Sequence, residues 1–258
     1  MKSLTYLKLH NQVHVPAIGF DLSAVPAEHV QELTAASLRS GQHHLCFLLE
    51  AAQENALAAA VLESGISPEN LFLTGILVPA KDDRDAVLRE LDRSMKRLGV
   101  SHINLLILRL PQDGDIPAGA WQAVEACYKQ GRASAIGIDR PSSCEAIEHL
   151  LQQAEISPML SRIAICPGSP QEILCSCAEE HRIAIAACLP DYWKELLETP
   201  AVRTLAGKYD VSPEVILYEY LHHRPFAILW PEPAMPEAGS LLSDDEMKVL
   251  DCLRWPLS

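Results

Sequence analysis

The chain is short of aromatic residues and has no surplus of positive charge. Aromatics are 5% of its 258 residues, so any core must be built from aliphatic side chains and alanine. Lys plus Arg number 21 against 34 Asp plus Glu, a formal net charge of −13. A surface that acidic repels nucleic acid and anionic membranes, and no basic run or interleaved aromatic patch offsets it. Long apolar runs are missing as well. None approaches the ~20 residues needed to cross a bilayer. The segment Met1-Lys2-Ser3-Leu4-Thr5-Tyr6-Leu7 lacks the continuous apolar stretch of a secretion signal. The expected location is therefore cytoplasmic, with no membrane and no nucleic-acid partner.

Metal-ligand spacing is absent too. The cysteines Cys46, Cys127, Cys144, Cys166, Cys175, Cys177, Cys188 and Cys252 are scattered. Cys175 and Cys177 lie two apart, and no second Cys/His pair stands at zinc-binding distance. Without a secretion signal, reduced buried thiols are expected. His43-His44 and His222-His223 are adjacent pairs, and neighbours on a strand point to opposite faces. No metal site is expected.

What is present is a repeated alternation of short apolar, β-prone runs with longer helix-period stretches. Val15-Pro16-Ala17-Ile18-Gly19-Phe20 leads into a first strand, and a helix is predicted over 27–40. Further strands are predicted at 43–47, 70–76, 104–108, 133–138, 162–165, 183–187 and 226–230. Helices are predicted at 55–64, 83–98 and 121–129, after 142 and 169, at 192–209 and 213–222, and after 243. In the third helix Val87, Leu91, Met95 and Leu98 share one face. Ser142-Ser143-Cys144-Glu145 and Ser243-Asp244-Asp245-Glu246 have capping-box spacing. Ser169-Pro170-Gln171-Glu172 combines a cap, an early proline and a returning glutamate. Eight strand–helix units imply one domain over 1–258, an α/β protein with a single (β/α)₈ TIM barrel. Residues 8–15 are a candidate N-terminal hairpin closing the barrel bottom, and a C-terminal helix ends the chain. The proline-rich stretch 231–239 reads as a loop after the last strand.

Several of these segments together resemble the aldo-keto reductases. The likeness rests on Val15–Phe20, on Arg97-Leu98-Gly99-Val100-Ser101-His102-Ile103-Asn104-Leu105, and on 121–137 with Gly131-Arg132-Ala133-Ser134-Ala135-Ile136-Gly137. It continues through Ile183-Ala184-Ile185-Ala186-Ala187 with Pro190, then 200–224, then Leu242-Ser243-Asp244-Asp245-Glu246-Met247. It covers nearly the whole chain in order. The resemblance implies carbonyl reduction by NADPH, with an Asp, Tyr, Lys and His at the barrel mouth. The Tyr gives the proton, its acidity tuned by neighbouring charge.

Those positions are filled differently here. Cys46 stands at the Asp position, Ala51 at the Tyr, Ile76 at the Lys and Arg109 at the His. Alanine and isoleucine donate no proton, and losing such an acid costs ~10²–10⁴-fold in rate. The cofactor positions implied by the resemblance are also changed. Asp139-Arg140 replaces a Ser-Asn pair, Ser161-Arg162 an Asn-Gln pair, and Cys188 the aromatic that stacks on nicotinamide. The basic segment for the adenosine phosphate is replaced by Trp230-Pro231-Glu232-Pro233-Ala234-Met235-Pro236-Glu237, whose Glu232 and Glu237 would repel it. No cofactor is therefore expected.

Among single residues, Arg109 is an anion-binding group or the partner of an internal ion pair with Asp139 or Glu50. Cys46 is a repurposed nucleophile or an inert packed thiol, and by alternation His44 shares its face. Asp139 and Arg140 read as a loop pair or as pocket-lining groups. Glu50 is a replacement acid or a solvated carboxylate at a helix start, and Trp230 a filler of the cofactor cleft. Trp121 and Trp193 read as helix packing. Three functions follow: a pseudoenzyme that binds a small organic ligand or a protein partner; a repurposed cofactor-independent enzyme for elimination, isomerisation or cyclisation; and a residual NADP-dependent oxidoreductase with displaced groups.

Overall fold

Aliphatic runs that are buried on both faces belong in a parallel sheet covered by helices, and the chain builds one that closes on itself. The computed structural model describes residues 5–80, 82–112, 117–237 and 239–253. Eight parallel strands form the barrel: β3 (Ile18–Asp21), β4 (His44–Leu48), β5 (Phe72–Leu77), β6 (Ile103–Arg109), β7 (Ala133–Asp139), β8 (Leu160–Ala164), β9 (Ala184–Cys188) and β10 (Ala227–Trp230). They follow in chain order around the barrel, and β10 pairs with β3 to close it. Between them run α1 (Ala27–Arg39), α2 (Ala51–Ser64), α3 (Arg84–Leu98), α4 (Ala118–Lys129), α5 (Cys144–Gln153) and α6 (Glu172–Glu180). Then come α7 (Trp193–Leu196), α8 (Pro200–Tyr209) and α9 (Pro213–His222), with α10 (Asp244–Asp251) after the last strand.

The hairpin expected at 8–15 pairs β1 (Tyr6–Lys8) with β2 (His14–Pro16) antiparallel. Leu9 and Val15 are buried beneath it, and the Asn11 amide donates to the Ser134 carbonyl at the start of β7. That end is the bottom of the barrel, away from the strand C-termini where sites form. Gly137 sets one strand contact. A Cβ there would stand 2.2 Å from the Leu160 carbonyl oxygen, so only glycine lets β8 approach so closely.

Four expectations need correction. Ser143, not Ser142, caps α5, its hydroxyl accepting from the Ala146 N–H. The helix expected at 169 begins at Glu172. Ser169 is held in a tight turn with Cys166, and Gln171 takes a left-handed φ of 56° before the helix. The helix expected over 192–209 is two helices, because Pro200 forces Thr199 into extended backbone. The thiols are not all reduced. Cys144 and Cys177 form a disulfide between α5 and α6, with Cα atoms 5.8 Å apart, and a 33-residue spacing in sequence does not reveal that side-by-side packing. Cys252 is exposed rather than buried. No helix of the described residues is long and apolar enough to cross a membrane.

Candidate functional site

Register builds the site. Arg109 at the end of β6 lies beside Asp139 of β7, and Asp139 lies beside Arg162 of β8. Neighbours in one row of a parallel sheet face the same side, so three charged side chains enter the upper barrel lumen together. Arg109 Nε donates to Asp139 Oδ2 at 2.6 Å, and Arg162 Nη1 to Asp139 Oδ1 at 2.7 Å. Arg162 then reaches past β9 and β10. Its Nη2 donates to Asp21 Oδ2 of β3 at 2.5 Å and to the Ser23 hydroxyl at 2.8 Å. Asp21 Oδ1 also takes the Ser23 N–H.

Burial makes this cluster costly unless every charge is matched. Arg162 is 1% exposed and Asp139 is fully buried. Burial pushes the Asp139 carboxyl upward, but Arg162 and Arg109 outweigh it and hold it below its ordinary value. Burial likewise opposes the Arg162 charge, and Asp21, Cys188 and Asp139 together outweigh it, so the guanidinium stays firmly protonated. The lumen thus carries a matched set of fixed charges rather than a titrating acid.

Cys46 faces the same lumen and is fully buried, and its thiol is pushed well above its ordinary value by burial and then by Asp21. Its neighbour His44 is bonded through Nε2 to the Thr74 hydroxyl at 3.0 Å, and burial lowers it to about 4. A protonated thiol beside a neutral imidazole engaged elsewhere is packing, not a nucleophile with its base. Ala51 is exposed at the first position of α2, and Ile76 is fully buried in β5. Glu50 is exposed at the residue before α2 and is not Arg109's partner, which is Asp139.

Asp139 and Arg140 do not form a loop pair. Asp139 ends β7, whereas Arg140 turns outward at φ 49° and grips both oxygens of Asp191 at 3.0 and 2.6 Å. Cys188 is buried with its thiol pushed up to about 12, and its S–H points to the Ile163 carbonyl at 3.5 Å. Trp230 alternates with the lumen-facing residues of β10 and points to the helix layer, not into a cofactor cleft. Its ring packs on Tyr218 of α9 and on Trp193 at 5.3 and 6.1 Å. Trp193 therefore packs on a barrel strand, and Trp121 is buried in α4. Among the described residues no cluster of three or more His, Cys, Asp or Glu could hold a metal ion.

Beside the cluster lies a pocket of about 850 Å³ between the loops that follow β5 to β9. Arg109, Arg140, Asp191 and Tyr192 line it, while Cys46, Glu50, Asp139, Arg162, Cys188 and Trp230 do not. Sequence reading missed Asp21, Ser23 and Asp191. A signal for Asp21 existed, since a carboxylate ending a barrel strand is at the functional face. The run Val15–Phe20, which leads into the first strand, stops one residue short of Asp21.

No family model matches the chain. It is 29% identical over 259 residues to the uncharacterized oxidoreductase YtbE of Bacillus subtilis, covering 95% of this chain and 91% of that protein. It is 27% identical to a glyoxal reductase of the same bacterium, over 84% of this chain and 79% of that one. It is 26% identical to an aldo-keto reductase of Mycolicibacterium smegmatis, over 90% and 84%. Among solved structures, an aldo/keto reductase from Brucella melitensis superposes with a TM-score of 0.83 at 21% identity, covering 95% of this chain and 98% of that one. An aldo-keto reductase from a Medee basin deep-sea metagenome gives 0.83 at 20% identity, with 97% and 96% covered.

Proposed function

We propose that this chain, which belongs to the aldo-keto reductase superfamily, does not reduce carbonyls with NADPH and serves instead as a binding or regulatory component. The observation that carries this reading is the cluster of Arg109, Asp139, Arg162 and Asp21 in the upper lumen. Reduction needs an acid whose proton moves during the reaction. Here the charges are matched to one another, and the groups at the positions implied by the resemblance are a buried thiol, an alanine, an isoleucine and a paired arginine.

On this reading the residues do not fit a nicotinamide dinucleotide. Cys188 offers no aromatic face, and Arg162 is committed to two carboxylates and a hydroxyl. In the loop after β10, burial raises the Glu232 carboxyl and Glu214 raises it further. An added phosphate there would meet like charge.

The open pocket beside the cluster favours a second reading, a cofactor-independent elimination, isomerisation or cyclisation by groups such as Arg109. That reading requires product from a small organic molecule with no nicotinamide added.

The relatives carry the names of reductases, so the test is direct. Purified protein is mixed with NADPH and a panel of aldehydes and ketones that includes glyoxal. NADPH consumption is expected to match the protein-free control. Steady, protein-dependent turnover of any panel member overturns the proposal.

A further inference from the structure

We infer that the pocket beside the ion cluster binds a small organic monocarboxylate with an apolar body, held by the outer edge of Arg109. The inference rests on the binding role proposed above and names the ligand class for it.

Arg109 is half committed. Its Nε donates to Asp139, and among the described residues its two terminal nitrogens donate no hydrogen bond to the protein. The side chain is 27% exposed and lines the pocket. A guanidinium fixed on its inner side presents its outer fork in a set direction, the geometry that matches a carboxylate through two parallel bonds. Because Asp139 also balances Arg162, the carboxylate is shared between two cations. The outer edge of Arg109 is therefore the least neutralised charge of the cluster.

The other charged groups on the wall are occupied. Asp191 has both oxygens on Arg140. Asp82 Oδ1 accepts the Ala120 N–H at 2.9 Å. These carboxylates set an upper limit on ligand charge: a single negative group is tolerated beside them, whereas a phosphate of nearly two charges is repelled. Part of the remaining wall is polar, with Gln112, Ser142 and Gln171, and part is apolar and stiff, with Val78, Pro79, Leu110, Pro111, Pro141 and Pro190. An inorganic ion would leave that surface wet. An aryl or alkyl tail would cover it, and about 850 Å³ lies within the range of small-molecule sites.

The test is calorimetric titration of the full chain with benzoate, phenylpropionate and hexanoate, with the matching neutral amides, and with inorganic phosphate. Two variants accompany it, Arg109→Gln and Ser142→Glu. Ser142 is exposed on the pocket rim and outside the ion cluster, so its substitution adds a repelling charge without touching the core. At least one acid is expected to bind about tenfold or more tightly than its amide, the margin of a charge-assisted hydrogen-bond pair. Arg109→Gln brings acid and amide level, and Ser142→Glu weakens the acid alone. If Arg109→Gln loses its circular dichroism signal, Ser142→Glu decides. Equal affinity for acid and amide, no saturable binding of any acid, tighter binding of phosphate, or indifference to Ser142→Glu overturns the inference. An NADPH titration on the same preparation separates the two proposals. Saturable NADPH binding counts against the non-reducing role, while the acid–amide comparison judges the pocket by itself.

Discussion

Arg162 is the residue on which the barrel mouth depends. It bonds both Asp21 and Asp139 in the lumen, where Arg109 reaches only Asp139, and both carboxylates are buried. Removing one member of such a set leaves the others unmatched, which costs about 3–5 kcal/mol. Arg162→Met is expected to lower the unfolding free energy by that amount, measured by urea denaturation. Adding Asp21→Asn and Asp139→Asn should recover much of it, a coupling expected only between groups in one network. A loss near zero, or simple additivity of the three changes, would contradict the assignment. His44 supplies a second residue-scale outcome. Its folded value is about 4 against an ordinary 6.5, so the unfolded chain takes up a proton first. The stability this group contributes is complete above pH 6.5 and is lost as pH falls toward 4, roughly 3 kcal/mol in all. Urea midpoints measured across that window should fall in the natural protein, and fall less in His44→Gln, whose amide can still reach Thr74. At this scale the residues at the positions picked out by the resemblance, Cys46, Ala51, Ile76 and Arg109, were legible, since identity is local. The sequence placed Arg109 against Asp139 as one alternative, but it could not reveal Asp21 on Arg162, 141 residues apart, because that contact exists only once the barrel closes.

Elements were legible to the extent that their signals were local. The third helix, read from Val87, Leu91, Met95 and Leu98, forms as α3 with those residues buried and Gly99 in the left-handed cap position. Ser243 and Glu246 form the full capping box expected before α10. The start of α6 was misplaced, because the turn at Cys166–Ser169 engages the backbone that a cap at Ser169 would need. The Cys144–Cys177 bond was missed for a similar reason: it reports how α5 and α6 pack, not how either forms. It closes a loop with a sequence separation of 33, which in the chain-entropy picture contributes about 3–4 kcal/mol. Cys177→Ala is expected to lower stability by that order, and thiol reductant should destabilise the natural protein but not the variant. Peptide mapping without reductant should recover the Cys144 and Cys177 peptides linked. Separate peptides and no reductant effect would contradict the bond.

At the scale of the molecule, the alternation of strand and helix specified the closed barrel, and the eight strands lie near where the apolar runs put them. The floor hairpin was legible as well. The pocket was not. It lies between five loops, and its walls come from residues whose only shared property is their place at the strand ends. The result is a barrel whose fold is that of the solved aldo-keto reductases it superposes on and whose upper lumen holds charges that bind one another. The measurement that bears most directly on this account is equilibrium binding of NADPH to the purified full chain by titration calorimetry. No saturable heat is expected at cofactor concentrations up to the millimolar range. A saturable isotherm with one site per chain would contradict it, since it would mean that the matched cluster leaves room for the hydride donor after all.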